Sequence, residues 1–424
     1  MIAQWRTSLT RSDWSPYADH TMNQDVPLSR TVKGLTPDFY VYPDQPPASA
    51  ELAGAVALIR WADGLELDAY ALWLFENQMG DVTIEERSRE SKFDPADFPA
   101  DDVLRDVTVS PDGDVIAEWA DGSTSAHHSG WLRHVAEQQH RPDAFLPEIE
   151  EWTTAELPAP PTHNGAAVLH DDGILLSFLH DAVRYGLARL ENLPPEKASL
   201  VALGERIGAL RDTNFGVTWP VSVDLKPTST ANTPLPLPPH TDLPTRETPP
   251  GFQMLHCLVN TTTGGLSTMA DGHAVVRRLE AAHPDDYEAL CTLNWIFFNR
   301  SPHHDHRWSG PLIDHGAPGM PLTIRAFHPV RGFPDMPIAD QPRAYAALRR
   351  FSQLSGSDEF QMRYAFRPGD LVLFDNRRTL HGRTAIDETG GLRELHGTYI
   401  DHDEIYSRTR VLTRHRTACE LGLA

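Results

Sequence analysis

The sequence has few cysteines and no closely spaced pair of them. Cys257, Cys291 and Cys419 are its three cysteines in 424 residues, and no CxxC motif is present. An odd, sparse set of this kind does not indicate a disulfide framework and is typical of proteins from a reducing compartment. We therefore expect a fold that is held by its hydrophobic core, and a cytoplasmic location.

Long apolar runs are also missing. No segment approaches the roughly 18 consecutive apolar residues that a transmembrane helix needs. The opening residues, MIAQWRTSLTRSDWSPYADH, lack the apolar stretch of a signal peptide. The sequence therefore predicts neither a membrane span nor a secretion signal.

Positive charge is scarce. The chain has 37 Lys and Arg against 59 Asp and Glu, which gives a net charge of −22, and it has no basic stripe. Nucleic acid is bound by clustered Lys and Arg, so we expect neither DNA nor RNA as a partner. The remaining composition, 40% apolar and 23% charged, is that of an ordinary soluble protein long enough for two domains.

Turn residues and proline divide the chain. Asp112-Gly113 and Asp121-Gly122 lie between alternating apolar runs and predict strand–turn–strand units. The predicted divisions are an irregular arm (1–48), a small β-rich domain (49–140), a linker rich in proline and acid (141–165), a large domain (166–412) and a tail (413–424).

The large domain combines a helix with many short strands. Apolar residues recur at three- and four-residue steps and predict one helical segment; they are Leu175, Leu176, Leu179, Val183, Leu187 and Leu190. The later short strands, separated by turns, favour a barrel or jelly roll. The fold class predicted is mostly β with flanking helices.

Three polar residues form a candidate metal site. His240 and Asp242 are two residues apart, so on one extended strand their side chains lie on the same face. His381 follows 141 residues later (381 − 240) in another β-like run. Two histidines and one carboxylate on one face of an iron ion leave three positions open, as oxygen chemistry requires.

Other interpretations of this pattern stay open. The chain has 21 histidines, and a zinc hydrolase also uses His and Asp. The rival histidines, which we interpret as core or surface residues, are His256, His303, His304, His306, His396 and His402.

The motifs around the triad resemble a known family. From Trp219 to Arg410 the chain is similar to the γ-butyrobetaine and trimethyllysine hydroxylase branch of the TauD-type 2-oxoglutarate oxygenases. The matching segments are HTDLPTRETPPG (240–251), MLHCLVNTTTGG (254–265), PGDLVLFDNRRTLHGR (368–383) and LRELHGTYIDHDEIYSR (392–408). The resemblance implies a double-stranded β-helix (jelly-roll) catalytic domain that uses Fe(II), 2-oxoglutarate and O2.

The resemblance also implies a cosubstrate site. Arg393 lies 12 residues after His381 (393 − 381), where the family places the arginine that binds the far carboxylate of 2-oxoglutarate. A planar guanidinium donates two parallel hydrogen bonds to a carboxylate, which a lysine cannot do. Ser267 matches a family hydroxyl near the same cosubstrate. The implied products are succinate, CO2 and a hydroxylated substrate.

Aromatic positions point to a cationic substrate. In the family, aromatic faces surround a trimethylammonium group, and each good cation–π contact contributes roughly 0.5–2 kcal/mol. The matching residues here are Phe215, Trp219, Asn232 and Tyr399, with Asn232 in place of a usual tyrosine. We therefore expect a small zwitterion that resembles γ-butyrobetaine.

The anionic end of the substrate is expected to differ. Phe327 and His328 stand where butyrobetaine enzymes have an asparagine pair. A relative acts on 2-trimethylaminoethylphosphonate, and a dianionic phosphonate would favour strong donors such as His328, Arg325 or Arg331. Hydroxylation of that phosphonate is therefore an alternative hypothesis.

Further expectations follow from the same resemblance. Animal members carry a zinc site in the small domain, but the matching positions here are Gln78, Gly80, Thr83 and Ser123, so we predict no structural zinc. A homodimer is expected. Two more alternatives are an oxygenase of a larger biosynthetic substrate and an inactive scaffold that acts as a binding protein.

Overall fold

Two units, each with its own buried core, make up the chain. One comprises Met1–Pro142 and His415–Ala424, and the other comprises Asp143–Arg414. The computed structural model describes residues 35–80, 83–97, 103–222, 233–316, 321–387 and 391–422. Within these ranges the chain is mostly β with flanking helices, as predicted. No helix in the described ranges has the length and apolarity needed to cross a membrane.

The first unit contains two antiparallel three-stranded sheets, β1–β2–β3 and β4–β5–β6. Its elements are β1 (Ser49–Ala53), β2 (Val56–Arg60), β3 (Glu66–Tyr70), α1 (Ala71–Glu76), β4 (Leu104–Val109), β5 (Val115–Trp119), β6 (Thr124–His127) and α2 (Ser129–Ala136). Gly113 and Gly122 have φ angles of 96° and 83°, which glycine adopts without steric cost. The predicted Asp-Gly turns are therefore confirmed, whereas the predicted domain limits stay predictions.

Side chains at two of the positions considered for zinc stabilise turns instead. The Thr83 hydroxyl donates to the Gln78 carbonyl (2.6 Å), and the Ser123 hydroxyl donates to Asp121 Oδ1 (2.6 Å). Neither arrangement presents a thiolate or imidazole to a metal. The absence of structural zinc stays a prediction.

The second unit contains two larger sheets. Its strands are β7 (Thr162–Asn164), β8 (Leu187–Glu191), β9 (Leu210–Arg211), β10 (Thr218–Ser222), β11 (Leu237–His240), β12 (Phe252–Asn260), β13 (Ser267–Asp271), β14 (Asn294–Arg300), β15 (Asp305–Gly310), β16 (Ile313–Asp314), β17 (Thr323–Ile324), β18 (Arg331–Asp335), β19 (Gln361–Tyr364), β20 (Leu371–Asp375), β21 (Thr379–Arg383) and β22 (Arg393–Ile400). The major sheet has the order β10–β22–β12–β20–β8–β7, with β9 also paired to β22, and the minor sheet has the order β11–β21–β13–β19.

The two sheets pack face to face. Leu255 and Phe374 of the major sheet meet Met269 and Met362 of the minor sheet in one buried cluster. Helices cover the rest: α3 (Gly165–Val168), α4 (Asp172–Tyr185), α5 (Lys197–Ile207), α6 (Gly272–Ala282), α7 (Pro284–Thr292), α8 (Gln341–Ser355) and α9 (His402–Glu420). Helices α4, α5 and α9 bury their apolar faces on the outer side of the major sheet. Helices α6 to α8 pack around β14 in a separate cluster.

Helix α4 shows why the predicted helical segment was too long. The Asp171 carboxylate caps its start by accepting hydrogen bonds from the backbone of Gly173 and Ile174. Gly186 ends it in a left-handed conformation with a φ of 67°. Leu187 and Leu190 were therefore predicted wrongly, because after this break they lie in strand β8.

Candidate active site

The two candidate histidine ligands lie side by side on paired strands. In the antiparallel ladder of β11 and β21, His240 is opposite His381. Their ring centroids are 4.1 Å apart, and both side chains are buried. The 141-residue separation in sequence is thus closed by a single strand pairing, which the sequence analysis did not specify.

Asp242 completes a cluster with the two histidines. It lies two residues beyond the end of β11, at the start of a loop and not on the strand itself. Its Oδ1 is 3.6 Å from His240 Nε2, and its Oδ2 is 3.8 Å from His381 Nε2. One ligand atom from each residue lies within 4.8 Å of the others, and no other such group of three occurs among the described residues.

The electrostatics of this cluster favour metal binding. Burial alone would raise the pKa of Asp242, but the adjacent imidazoles of His381 and His240 and the hydroxyl that Tyr399 donates hold that pKa well below its usual range. Burial and repulsion from His240 lower the pKa of His381 to about 3. At neutral pH the cluster therefore contains a carboxylate and a neutral imidazole, the forms that bind metal.

The orientation of His240 fits the same role. Its Nδ1 donates a hydrogen bond to the carbonyl of Pro238 at 2.9 Å, so in the neutral imidazole the lone pair is on Nε2. That nitrogen faces Asp242. A carbonyl that fixes the tautomer of a ligating histidine is the usual arrangement around protein-bound metals. The donor set therefore fits an Fe(II) ion.

A buried arginine lies near the same sheet. Arg393, at the start of β22, is only 6% exposed and has no carboxylate partner among the described residues. Burial lowers the pKa of its guanidinium. Tyr364 interacts electrostatically with Arg393, and its buried hydroxyl has no hydrogen-bond partner among the described residues. A cation buried in this way requires an anion, which makes Arg393 a candidate for binding a ligand carboxylate.

The strand register connects this arginine site to the histidines. On β13, Ser267 is opposite Arg383, and Met269 is opposite His381. Arg383 and His381 are two residues apart and therefore share one face of β21, roughly 6.6 Å apart along the strand. Repulsion from Arg393 contributes to lowering the pKa of Arg383, so the two guanidinium groups are neighbours. A small dicarboxylate can extend from the triad towards this end of the strands.

An aromatic wall stands on the other side of the triad. The rings of Trp219 and Tyr399 have centroids 4.3 Å apart, and Phe215 is 6.2 Å from Trp219. The hydroxyl of Tyr399 donates to Asp242 Oδ2 at 2.9 Å. Phe215 is 42% exposed at the outer end of this row. The structure thus brings together three of the four residues predicted to surround the cationic group, whereas the fourth, Asn232, lies outside the described residues.

The structure corrects part of the prediction for the residues that bind the anionic end of the substrate. His328 follows Phe327, whose ring stacks on His240 with centroids 4.5 Å apart. Arg331 Nη1 donates to His328 Nδ1 at 3.0 Å, so these two residues form a donor pair. Arg325 was a wrong candidate, because its guanidinium is buried, donates hydrogen bonds to backbone carbonyls and forms an ion pair with a carboxylate. Its partners are the carbonyls of Pro244, Arg246 and Glu247 and the side chain of Asp314.

Asn376 is a site residue that the motif contained but that sequence reasoning did not assign. Its amide hydrogen-bonds both backbone groups of Asp242. The segment FDNRRTLH placed it five residues before His381, but its partner is 134 residues away. Spacing alone gives no signal for such a contact.

Comparisons with known proteins agree with this geometry. Residues 152–399 match the family model described as taurine catabolism dioxygenase TauD, TfdA family. The gamma-butyrobetaine dioxygenase of Pseudomonas sp. (strain AK-1) is 37% identical over 381 residues, which are 89% of this chain and 99% of that protein.

More distant relatives cover the same region. The human gamma-butyrobetaine dioxygenase is 30% identical, over 70% of this chain and 79% of that protein. The mitochondrial trimethyllysine dioxygenase of Gallus gallus is 28% identical, over 69% of this chain and 71% of that protein. Since the family model spans more than half of the chain and the Pseudomonas relative nearly all of it, this chain belongs to the TauD, TfdA family and is an Fe(II)- and 2-oxoglutarate-dependent dioxygenase.

Proposed function

We propose that the protein hydroxylates a small zwitterion that bears a trimethylammonium group, as γ-butyrobetaine does. The observation that carries this proposal is the contact between the aromatic wall and the triad. The rings of Trp219 and Tyr399 are in contact with an interplanar angle of 36°, and the Tyr399 hydroxyl donates a hydrogen bond to Asp242. A cation held on these rings would lie beside the metal site. The relatives named for γ-butyrobetaine and trimethyllysine support the same substrate class.

Each site residue has a proposed role. His240, Asp242 and His381 hold Fe(II), while Arg393 and Ser267 bind the far carboxylate of 2-oxoglutarate. When bound, Fe(II) and 2-oxoglutarate would react with O2 to supply the oxidising chemistry: one oxygen atom would enter an unactivated C–H bond of the substrate and the other succinate, with release of CO2. The chain itself binds, orients and shields the substrate: Phe215, Trp219 and Tyr399 hold the cation. Asn232 is proposed to contribute to the same pocket.

The opposite end of the substrate is proposed to contact His328. With Arg331 donating to its Nδ1, the neutral ring carries its proton on Nε2, and the Ser352 hydroxyl lies 3.4 Å from that nitrogen. A bound anion is proposed to replace this hydroxyl as the acceptor. Arg331 has no carboxylate partner among the described residues. This pair suits the carboxylate of a substrate such as γ-butyrobetaine. The alternative substrate, 2-trimethylaminoethylphosphonate, is not favoured, because the relatives are named for γ-butyrobetaine and trimethyllysine.

The test is succinate formation over a substrate panel. Protein purified anaerobically is supplied with Fe(II), ascorbate, 2-oxoglutarate and O2, together with γ-butyrobetaine, trimethyllysine or 2-trimethylaminoethylphosphonate. We expect γ-butyrobetaine to raise succinate well above the uncoupled background. A neutral analogue with a tert-butyl group in place of trimethylammonium has the same shape, and we expect it to bind more weakly because it lacks the charge.

A variant pair checks that the triad performs the reaction. His381→Ala removes one ligand and is expected to abolish turnover, whereas His303→Ala alters an exposed histidine and is expected to retain it. Retained activity in His381→Ala would contradict the metal assignment. If no zwitterion stimulates succinate but 2-oxoglutarate still binds, the cationic substrate is wrong and a larger biosynthetic substrate is to be sought. Binding of a partner by a protein that shows no turnover would support the alternative of an inactive scaffold that acts as a binding protein.

The finer features of the fold are proposals as well. We propose that the two packed sheets form the double-stranded β-helix, or jelly roll, of this family. The face-to-face packing of the minor sheet on the major sheet supports this arrangement. The domain limits, the homodimer, the cytoplasmic location and the lack of nucleic-acid partners stay predictions.

A further inference from the structure

We propose that Asn376 is a positioning residue that sets the placement of the Asp242 carboxylate relative to the two histidines. This inference rests on the proposed function, because it assumes that His240, Asp242 and His381 hold the metal. Asn376 contacts neither the triad side chains nor the proposed substrate. It acts through the backbone of Asp242.

The hydrogen bonds of Asn376 are unusually concentrated on one residue. Its side chain is fully buried. Oδ1 accepts from the backbone N–H of Asp242 at 2.7 Å, and Nδ2 donates to the carbonyl of the same residue at 3.0 Å. Nδ2 also donates to the carbonyl of Pro250 at 3.2 Å. One donor group thus faces Oδ1 and two carbonyls face Nδ2, which fixes the orientation of the amide.

The backbone beyond Asp242 needs such support. Leu243 has a φ of 51°, in the left-handed region that a residue with a side chain rarely adopts. Conformations of this kind cost on the order of 1–3 kcal/mol and persist where surrounding contacts hold them. The two bonds from Asn376 to Asp242 hold the residue that precedes this strained position. Without them the turn can relax and carry the carboxylate with it.

The position of Asn376 in the chain links the two ligand segments. It lies in the turn between β20 and β21, five residues before His381 (381 − 376). Its own backbone N–H donates to the carbonyl of Gly251 at 2.8 Å. The turn therefore leads covalently to one ligand and holds the other through the amide. Asp242 is therefore held at two points: its backbone bonds to Asn376, and its Oδ2 accepts a hydrogen bond from Tyr399.

Mn(II) titration, followed by electron paramagnetic resonance, tests this role without relying on turnover. Asn376→Asp keeps the shape but cannot donate to the two carbonyls, and Asn376→Ala removes all three bonds. Loss of a residue that supports a metal ligand typically weakens metal affinity by about 10- to 100-fold, and we expect both variants to bind Mn(II) more weakly in that range. Asn376→Ser keeps a small donor and acceptor and is expected to fall between them and the native protein.

Three controls separate this role from a structural one. Asn164→Ala removes a different asparagine, which caps the start of α3 by accepting a hydrogen bond from the backbone, and it is expected to leave Mn(II) affinity unchanged. Thermal unfolding without metal reports any loss of stability. If His381→Ala retains native Mn(II) affinity, the proposed metal site itself is wrong. If His381→Ala abolishes binding while the folded Asn376 variants bind within about twofold of native, only the role of Asn376 is overturned.

Discussion

The aromatic wall beside the metal ligands depends on a residue that has no side chain. Trp219 of β10 is opposite Gly397 of β22, and its indole lies directly over that glycine. A Cβ atom added at Gly397 would be 2.8 Å from Cε2 of the indole and 2.9 Å from Nε1. Real Cβ atoms do not approach so closely, so the space left by the glycine determines where the ring can lie.

Gly397→Ala is therefore expected to displace Trp219 and weaken substrate binding. Losing one cation–π contact of roughly 0.5–2 kcal/mol corresponds to a rise in KM for γ-butyrobetaine of about 2- to 30-fold. Mn(II) affinity is expected to stay at the native value, because Gly397 is not among the triad residues. Gly356→Ala, at the exposed end of α8, is the matched control with no expected change in KM. An unchanged KM in Gly397→Ala would remove Trp219 from the substrate pocket.

At the residue scale, the sequence predicted the metal ligands but not the residues that position the ligands and the aromatic wall. His240, Asp242 and His381 were candidate ligands by residue type, and the motifs around them distinguished them from the other histidines of the chain. Asn376 and Gly397 act through partners that become neighbours only when distant segments pair, so no local pattern indicates them. Arg325 illustrates the converse error, because a charged residue near the motif turned out to bind backbone carbonyls.

At the scale of elements, the prediction of helix α4 failed at its C-terminal end, where the backbone conformation ends the helix. Apolar spacing correctly predicted helix α4, but the same spacing continued across Gly186 into β8. A left-handed glycine ends a helix whatever the apolar pattern beyond it. Short strands were predicted as a class from turn residues, whereas their order in two sheets depends on long-range pairing that local sequence does not contain.

A buried ion pair connects several of these elements. Arg378, next to β21, donates to both carboxylate oxygens of Asp271, at 3.0 and 2.7 Å, and both side chains are inaccessible to solvent. Asp271 also accepts from the backbone of Trp152 and His273, and Arg378 donates to the carbonyl of Arg184 at the end of α4. The pair therefore joins β13, α6, α4 and the strand that carries His381.

Arg378→Met is expected to destabilise the second unit by about 3–5 kcal/mol, because it leaves the Asp271 carboxylate buried without a partner. Urea unfolding of the native protein and the variant measures this loss. Arg363→Met, which breaks a largely exposed pair with Asp358, is the matched control and is expected to cost less than about 1 kcal/mol. The double variant Asp271→Asn, Arg378→Met should recover part of the loss. A cost for Arg378→Met that equals the control would show that the pair contributes no net stability.

At the scale of the whole molecule, each unit buries a histidine that has no role in the proposed chemistry. His127 in the first unit is 2% exposed, and its Nε2 lies 3.0 Å from the Ser125 hydroxyl. His256 in the second unit is fully buried, and neither of its ring nitrogens has a hydrogen-bond partner among the described residues. Burial lowers the pKa of His127 to about 4, and burial with repulsion from His396 lowers the pKa of His256 to about 4. Both rings are therefore neutral in the folded protein at neutral pH.

These two histidines predict that each unit loses stability separately in acid. The ordinary pKa of histidine is 6.5, so between pH 6.5 and about 4 the unfolded chain binds protons that the folded chain does not. Stability therefore rises with pH across this window, and it is lost as the pH falls through it, by roughly 2–3 kcal/mol for each histidine. Denaturant unfolding between pH 7.5 and 4.5 is expected to show this slope. His127→Phe should flatten the slope for the first unit alone and His256→Phe for the second, whereas His303→Gln on the surface should change neither. If the dependence of unfolding free energy on pH stays the same in both His127→Phe and His256→Phe, the acid sensitivity comes from the carboxylates instead.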